Sequence, residues 1–265
     1  MKKNSFWKNK YTVLLCILLL LLVADVWMHK GMARYLFPLS MPAQTGFNKL
    51  QPLPTNLIVG GTQWKKAVNS IEVMNALPAN TAGLEIDVYF DNTRNNFLVY
   101  HDSSAASNTT LLQLLELYKK KNLSASLWLD FKNLSDNNQH RALTHLMQLR
   151  NQYNLQQKII VESTHPQWLQ IFNNANFFTS YYVPYFNPYK EDDARLVKHI
   201  DSIVNTLRQY NVGALSGYYF QLPALKKYFP SYPQLTWVAK QEISVVSMLF
   251  HEKITSDPSV KVVLQ

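Results

Sequence analysis

Apolar positions along most of this chain fall into two alternating patterns. Short apolar runs suited to buried strands occur at 57–59, 83–90, 126–131, 158–162, 177–183, 214–220, 234–238 and 260–264. Between them the spacing turns helical, for example at 111–120, 140–152, 194–210 and 241–251. Strands alternating with helices predict a parallel α/β architecture. At this length a single parallel (β/α)8 barrel of the TIM type is the natural solution. The alternative is an open doubly wound sheet. That fold ordinarily carries a glycine-rich phosphate loop after its first strand, and Gly60-Gly61-Thr62 is too short to be one. A further short extended segment is predicted at 97–100, and no internal repeat is visible.

The N-terminus breaks this rhythm. Residues 11–27 are apolar except for Asp25 and include five consecutive leucines, Leu18 to Leu22. The run is at the short end of what spans a bilayer as a helix. Lys2, Lys3, Lys8 and Lys10 precede it, which orients the N-terminus to the cytoplasm and the rest of the chain outside. A cleaved signal peptide is the competing reading, but Gly31-Met32-Ala33 lies far beyond the apolar core. The organisation expected is therefore a basic cytoplasmic tail (1–10), a single-pass inner-membrane anchor (11–28), a proline-containing tether (29–56) and a periplasmic barrel (57–265). Pro38, Pro42, Pro52 and Pro54 with little periodicity make the tether extended.

Charge and composition alter this picture little. Of the net charge of +9, residues 1–34 supply five, from six basic residues against Asp25. The remainder is only mildly basic, so no nucleic-acid partner is expected. Lys119-Lys120-Lys121 reads as a solvated helix face. Cys16 is the one cysteine, so no disulfide forms within the chain.

Polar residues collect where a barrel wants them, at the C-terminal ends of strands. Glu85 and Asp87 alternate on one strand and point to one face, while Leu84, Ile86 and Val88 occupy the other. Two carboxylates this close repel unless they share a proton or a cation. Asp130 supplies a third oxygen from the next parallel strand. Three carboxylates suit a hard divalent cation, Ca²⁺ or Mg²⁺. The plainer reading is an ion-pair network, for example Asp130 with Lys132. His101, beside Asp102, is placed for general acid or base work. Glu162, Ser216, Tyr218 and Trp237 lie at later strand ends, where a substrate would rest. The other six histidines read as surface or packing residues.

Several motifs in order carry a resemblance. They are Trp64-Lys65-Lys66-Ala67-Val68-Asn69-Ser70, Ala76-Leu77, Leu84-Glu85-Ile86-Asp87-Val88, Tyr100-His101-Asp102 and Leu127-Trp128-Leu129-Asp130-Phe131-Lys132. This series resembles the menorin domain, with its W-x-H-A-V-N-S, L-E-A-D-V, H-P or H-D, and K-L-D-F-K steps. That family belongs with the glycerophosphodiesterases and phosphatidylinositol-specific phospholipases C. The similarity covers about residues 57–165. Beyond them it rests on strand order and on weaker patterns such as Ser216-Gly217-Tyr218-Tyr219.

The resemblance implies a metal-dependent phosphodiesterase acting on a glycerophosphodiester or a phospholipid head group. Glu85, Asp87 and Asp130 would hold the metal, with Asn69 adding an amide oxygen. His101 would be one of two catalytic histidines, and Lys132 would sit beside the phosphate. The family's first histidine is Lys66 here. A lysine accepts a proton near neutrality only when its pKa is lowered, although it holds a phosphate as a point charge. The departure keeps a second reading open, an altered barrel that binds a phosphorylated ligand or partner without cleaving it.

Overall fold

The alternation of apolar and mixed runs becomes alternating strands and helices in the computed structural model. It describes residues 5–43, 50–54, 56–101 and 108–265, with side chains from Lys10 onward. The strands are β1 (Gln63–Trp64), β2 (Gly83–Asp91), β3 (Asn96–Val99), β4 (Ser126–Phe131), β5 (Ile159–Ser163), β6 (Phe178–Tyr182), β7 (Ala214–Tyr218), β8 (Gln234–Trp237) and β9 (Val260–Leu264). They form one sheet in the order β1-β9-β8-β7-β6-β5-β4-β2-β3. Every pairing is parallel except the β2–β3 hairpin. The sheet curls until the end of β1 meets β2. Lys65, just after β1, donates from its backbone to Gly83 O (2.9 Å) and accepts from Glu85 N (2.8 Å). Eight parallel strands thus form the curled sheet that the alternation predicts.

Period-two alternation separates two cores. Outward residues such as Leu84, Ile86, Val88, Leu127, Leu129 and Val161 join the core beneath the surrounding helices. Inward residues Trp64, Trp128, Ile160, Phe178, Leu235 and Val262 plug the interior. Above this plug the inward positions turn polar, which sets the floor of the site.

The helices are α1 (Ser5–Met28), α2 (Lys30–Tyr35), α3 (Ile71–Ala76), α4 (Leu111–Lys120), α5 (Gln139–Gln152), α6 (Pro166–Asn174), α7 (Asp193–Gln209), α8 (Leu222–Tyr228) and α9 (Val245–Thr255). Local chemistry starts several of them. Thr110 and Gln113 form a capping box on α4, Asp192 caps α7, and Pro166 opens α6.

The structure departs from the sequence reading in three places. Residues 57–59 lie outside the sheet. Leu57 and Val59 are apolar because they pack against the interior plug, and Ile58 N donates to Gln157 O (2.7 Å). The first strand is β1 instead. The tether contains α2, and part of it is fastened down. Met41 and Leu50 pack on the outer core, Tyr228 Oη donates to Pro42 O (2.7 Å), and Asn211 Nδ2 donates to Gln51 O (2.8 Å). Finally, Lys240–Ser256, which contains α9, groups with the N-terminal helices up to Ser40 as one compact unit, while the curled sheet forms the other. Within the first unit Tyr35 packs edge-on against Phe250 (5.3 Å), and Lys253 Nζ donates to Leu36 O (2.9 Å). Among the described residues one helix, with the stretch Lys10–Met28, is long and apolar enough to cross a membrane, and none of that stretch is buried.

Candidate active site

Register brings the acids together. Asp87 on β2 lies beside Asp130 on β4, which lies beside Glu162 on β5. All three therefore sit at one level across three neighbouring strands. Glu85, two residues earlier on β2, shares the inward face. Oxygens of Glu85, Asp87 and Asp130 lie within 4.8 Å of one another.

These groups line a cavity of about 140 Å³ together with Lys66, His101, Lys132, Tyr218 and Trp237, all anticipated from the sequence. Ser216 is fully buried beneath it, beside Glu162. Trp128, Tyr182 and Leu264 also line the cavity and were not anticipated. Tyr182 was findable, because it is an inward residue at the end of β6. A larger open cleft of about 530 Å³ lies along α6 and α7, with Lys198 and Asp201 on its wall but no carboxylate cluster. Asp102 lies outside the described residues.

The charges are strongly coupled. Lys132 Nζ stands 2.7 Å from Asp87 Oδ1, an ion pair without hydrogen-bond alignment, and it also donates to Asp130 Oδ2. Burial alone would lower the Lys132 pKa, but Asp130 and Asp87 outweigh it and hold the ammonium above the usual lysine range. Burial and then the Asp87 charge push Glu85 up to about 8, despite the Ala67 N–H that donates to its Oε2 (2.6 Å). Glu162 is raised well above the ordinary range, by burial first and by Asp130 second. Ser216 and Ser180 pull the other way, yet Glu162 Oε2 and both hydroxyls lack a well-formed hydrogen bond.

Asn69 stands one step back from the place implied for it. Its Nδ2 donates to Asp87 Oδ2 (2.5 Å), and its Oδ1 accepts from Asp87 N (2.9 Å). Both ends of the amide are therefore spent on Asp87, which they orient. Ala67 takes a φ of 56°, left-handed for a residue with a Cβ, and this turn aims its N–H at Glu85. Such strain costs about 1–3 kcal/mol and clusters at functional sites.

The donor set fits a hard cation. Three carboxylates crowd one ammonium in a buried cluster, and burial first and the Asp87 charge second keep a proton on Glu85 that a divalent cation would displace. The three clustered side chains all offer carboxylate oxygens, as Ca²⁺ or Mg²⁺ prefers.

No protein-family model matches the chain, and no curated protein does. Solved structures do resemble it. A glycerophosphodiester phosphodiesterase of Parabacteroides distasonis superposes with a TM-score of 0.51 at 18% identity, covering 81% of this chain and 93% of that one. A candidate glycerophosphoryl diester phosphodiesterase of Silicibacter pomeroyi gives 0.52 at 12%, covering 82% and 92%. A candidate glycerophosphodiester phosphodiesterase of Galdieria sulphuraria gives 0.51 at 11%, covering 80% and 95%. At these identities the likeness shows the fold.

Proposed function

We propose that this chain is a membrane-anchored, metal-dependent phosphodiesterase of the menorin-like branch of the phospholipase C-like fold. Its substrate is a glycerophosphodiester or a phospholipid head group outside the inner membrane. The observation that carries the reading is the convergence of Glu85, Asp87 and Asp130 in one cavity with His101, Lys66 and Lys132. Glu85, Asp87 and Asp130 hold Ca²⁺ or Mg²⁺. When bound, such a cation polarises a phosphoryl oxygen and offsets negative charge on the phosphate. Asn69 positions Asp87. His101 holds or delivers a proton at the ester oxygen. Lys66 and Lys132 hold the phosphate as point charges. Glu162, Ser216, Tyr218 and Trp237, joined by Tyr182, form the substrate side. The apolar helix α1 anchors the protein in a single pass with residues 1–10 in the cytoplasm, in line with the lysines before it.

Two observations favour a second reading, a barrel that binds a phosphorylated ligand without cleaving it. Lys66 replaces the family's histidine, and Lys132 already pairs with two of the acids. Hydrolysis of a bis-aryl phosphodiester by the full chain in detergent separates them. Activity that requires Ca²⁺ or Mg²⁺ and disappears in Asp87→Asn is expected. Absence of turnover on any phosphodiester, with ligand binding retained, would favour the second reading.

A further inference from the structure

The N-terminal end of α9 exposes an apolar surface that its own unit leaves uncovered. Ile243 is fully exposed, and Val245, Met248 and Leu249 are each about half exposed (55%, 56% and 49%). Val245, Met248 and Leu249 follow one helical face. Farther along that face come Glu252 and Lys253, both exposed, so the apolar surface ends after the first turns.

The same end of α9 is tied to the end of the apolar helix. Val246 N donates to Asp25 Oδ2 (3.2 Å), and His29 links Asp25 Oδ1 (2.8 Å) to Glu242 Oε2 (3.1 Å). Asp25 lies three residues, roughly 4.5 Å of helix rise, before Met28. The stretch Lys10–Met28 has 19 residues. It is therefore about 28 Å long, slightly less than the ~30 Å hydrocarbon core it would cross. Its end, and with it the start of α9, lies at the boundary between acyl chains and head groups. Trp27, 76% exposed, is the kind of residue that marks this level. Lys30 and Lys240 are exposed in the same unit and suit anionic head groups.

We infer that Ile243, Val245, Met248 and Leu249 form a second membrane contact, seated in the interfacial layer of the bilayer that α1 crosses. The inference rests on the reading of α1 as an anchor. The occupant is lipid, because the apolar surface sits at the depth of the span's end and turns polar along α9 away from Asp25. It gives the anchored protein two points of attachment, a span and a shallow wedge.

The test uses the full chain, with Cys16→Ser as background, in vesicles of phosphatidylethanolamine and phosphatidylglycerol. Single cysteines, Leu20→Cys, Ile243→Cys, Met248→Cys and Glu252→Cys, carry an environment-sensitive fluorophore. All four positions are exposed, so the labels leave the core intact. Brominated acyl chains are expected to quench the probes at 20, 243 and 248 strongly and to leave the probe at 252 unquenched. Quenching at 20 with none at 243 and 248 would overturn the wedge and leave the anchor standing. No quenching at 20 would remove both. Probes at 243 and 248 shielded from aqueous iodide but untouched by brominated lipid would mean a protein partner instead, which also overturns the proposal.

Discussion

Lys66 stands where the proposed menorin-like resemblance implies a histidine, and it lines the same cavity as the three acids. A lysine that holds a phosphate is partly replaceable by arginine, whereas one that transfers a proton is not. Lys66→Arg is expected to retain measurable turnover, and Lys66→His to raise it if the site is an enzyme weakened by drift. His101→Ala should lose about 10²–10⁴-fold in rate, the usual scale of acid–base catalysis. Steady-state kinetics on one phosphodiester reads all three variants. A His101→Ala rate within a few fold of the parent would remove His101 from its assigned role. Metal binding has its own readout. At a hundred times Kd a ligand of the folded state adds about 2.7 kcal/mol. Each kcal/mol moves the Tm of a domain this size by about 2–4 °C. Asp87→Asn should abolish most of the Ca²⁺ or Mg²⁺ shift, and an unchanged shift would count against the site.

Glu85 adds a pH dependence with a definite sign. Folded, it keeps its proton up to about 8, against an ordinary value of 4.5. The folded state therefore binds the extra proton between these values, and metal-free stability is lost as pH rises through about 8. Metal needs the ionised carboxylate, so its stabilising effect grows across the same window. Thermal melts from pH 5 to 9, with chelator and with added metal, should diverge as pH rises, and Glu85→Gln should bring the two series together. Parallel series in the unmodified chain would contradict the proton assignment.

At the scale of elements, the seam between β1 and β2 depends on a close approach. A Cβ added at Gly83 would fall 2.1 Å from the Trp64 ring. Both residues belong to the strands that close the curl, so Gly83→Ala must move either the ring or the seam. Overpacking of this kind costs about 1–3 kcal/mol, which chemical denaturation measures. A loss below a few tenths would show that Trp64 has room to move. The outward faces of the central strands carried enough apolar alternation to be read directly. β1 did not, because two paired residues are too few to show a period, and the neighbouring run 57–59 owes its apolar character to plugging the interior.

For the whole molecule the orientation is the open quantity. On the proposed reading of α1 as an anchor, the lysines ahead of the apolar run would place the C-terminus outside the cytoplasm. A periplasm-active reporter fused after Gln265 is expected to work and a cytoplasm-active one to be silent. The reverse pattern would invert the topology and the proposed compartment of the substrate.

By itself the sequence determined what depends on near neighbours. The period of two put Glu85 and Asp87 on one face, the switch to helical spacing located α4, α5 and α7, and the leucine run marked a helix long and apolar enough to cross a membrane. It also marked Asp130, His101 and Lys132 as candidates through short motifs. Tertiary structure alone decided what depends on residues far apart in the chain. Inter-strand register set Asp87, Asp130 and Glu162 abreast. Strand order brought Tyr182 and Trp128 to the cavity wall, and long-range hydrogen bonds turned Asn69 onto Asp87. Packing assigned α9 to the unit of α1 and α2 rather than to the sheet. The physical reason is that periodicity is written into adjacent side chains, whereas the register that sets the acids abreast is fixed by contacts between separate strands distant in the chain.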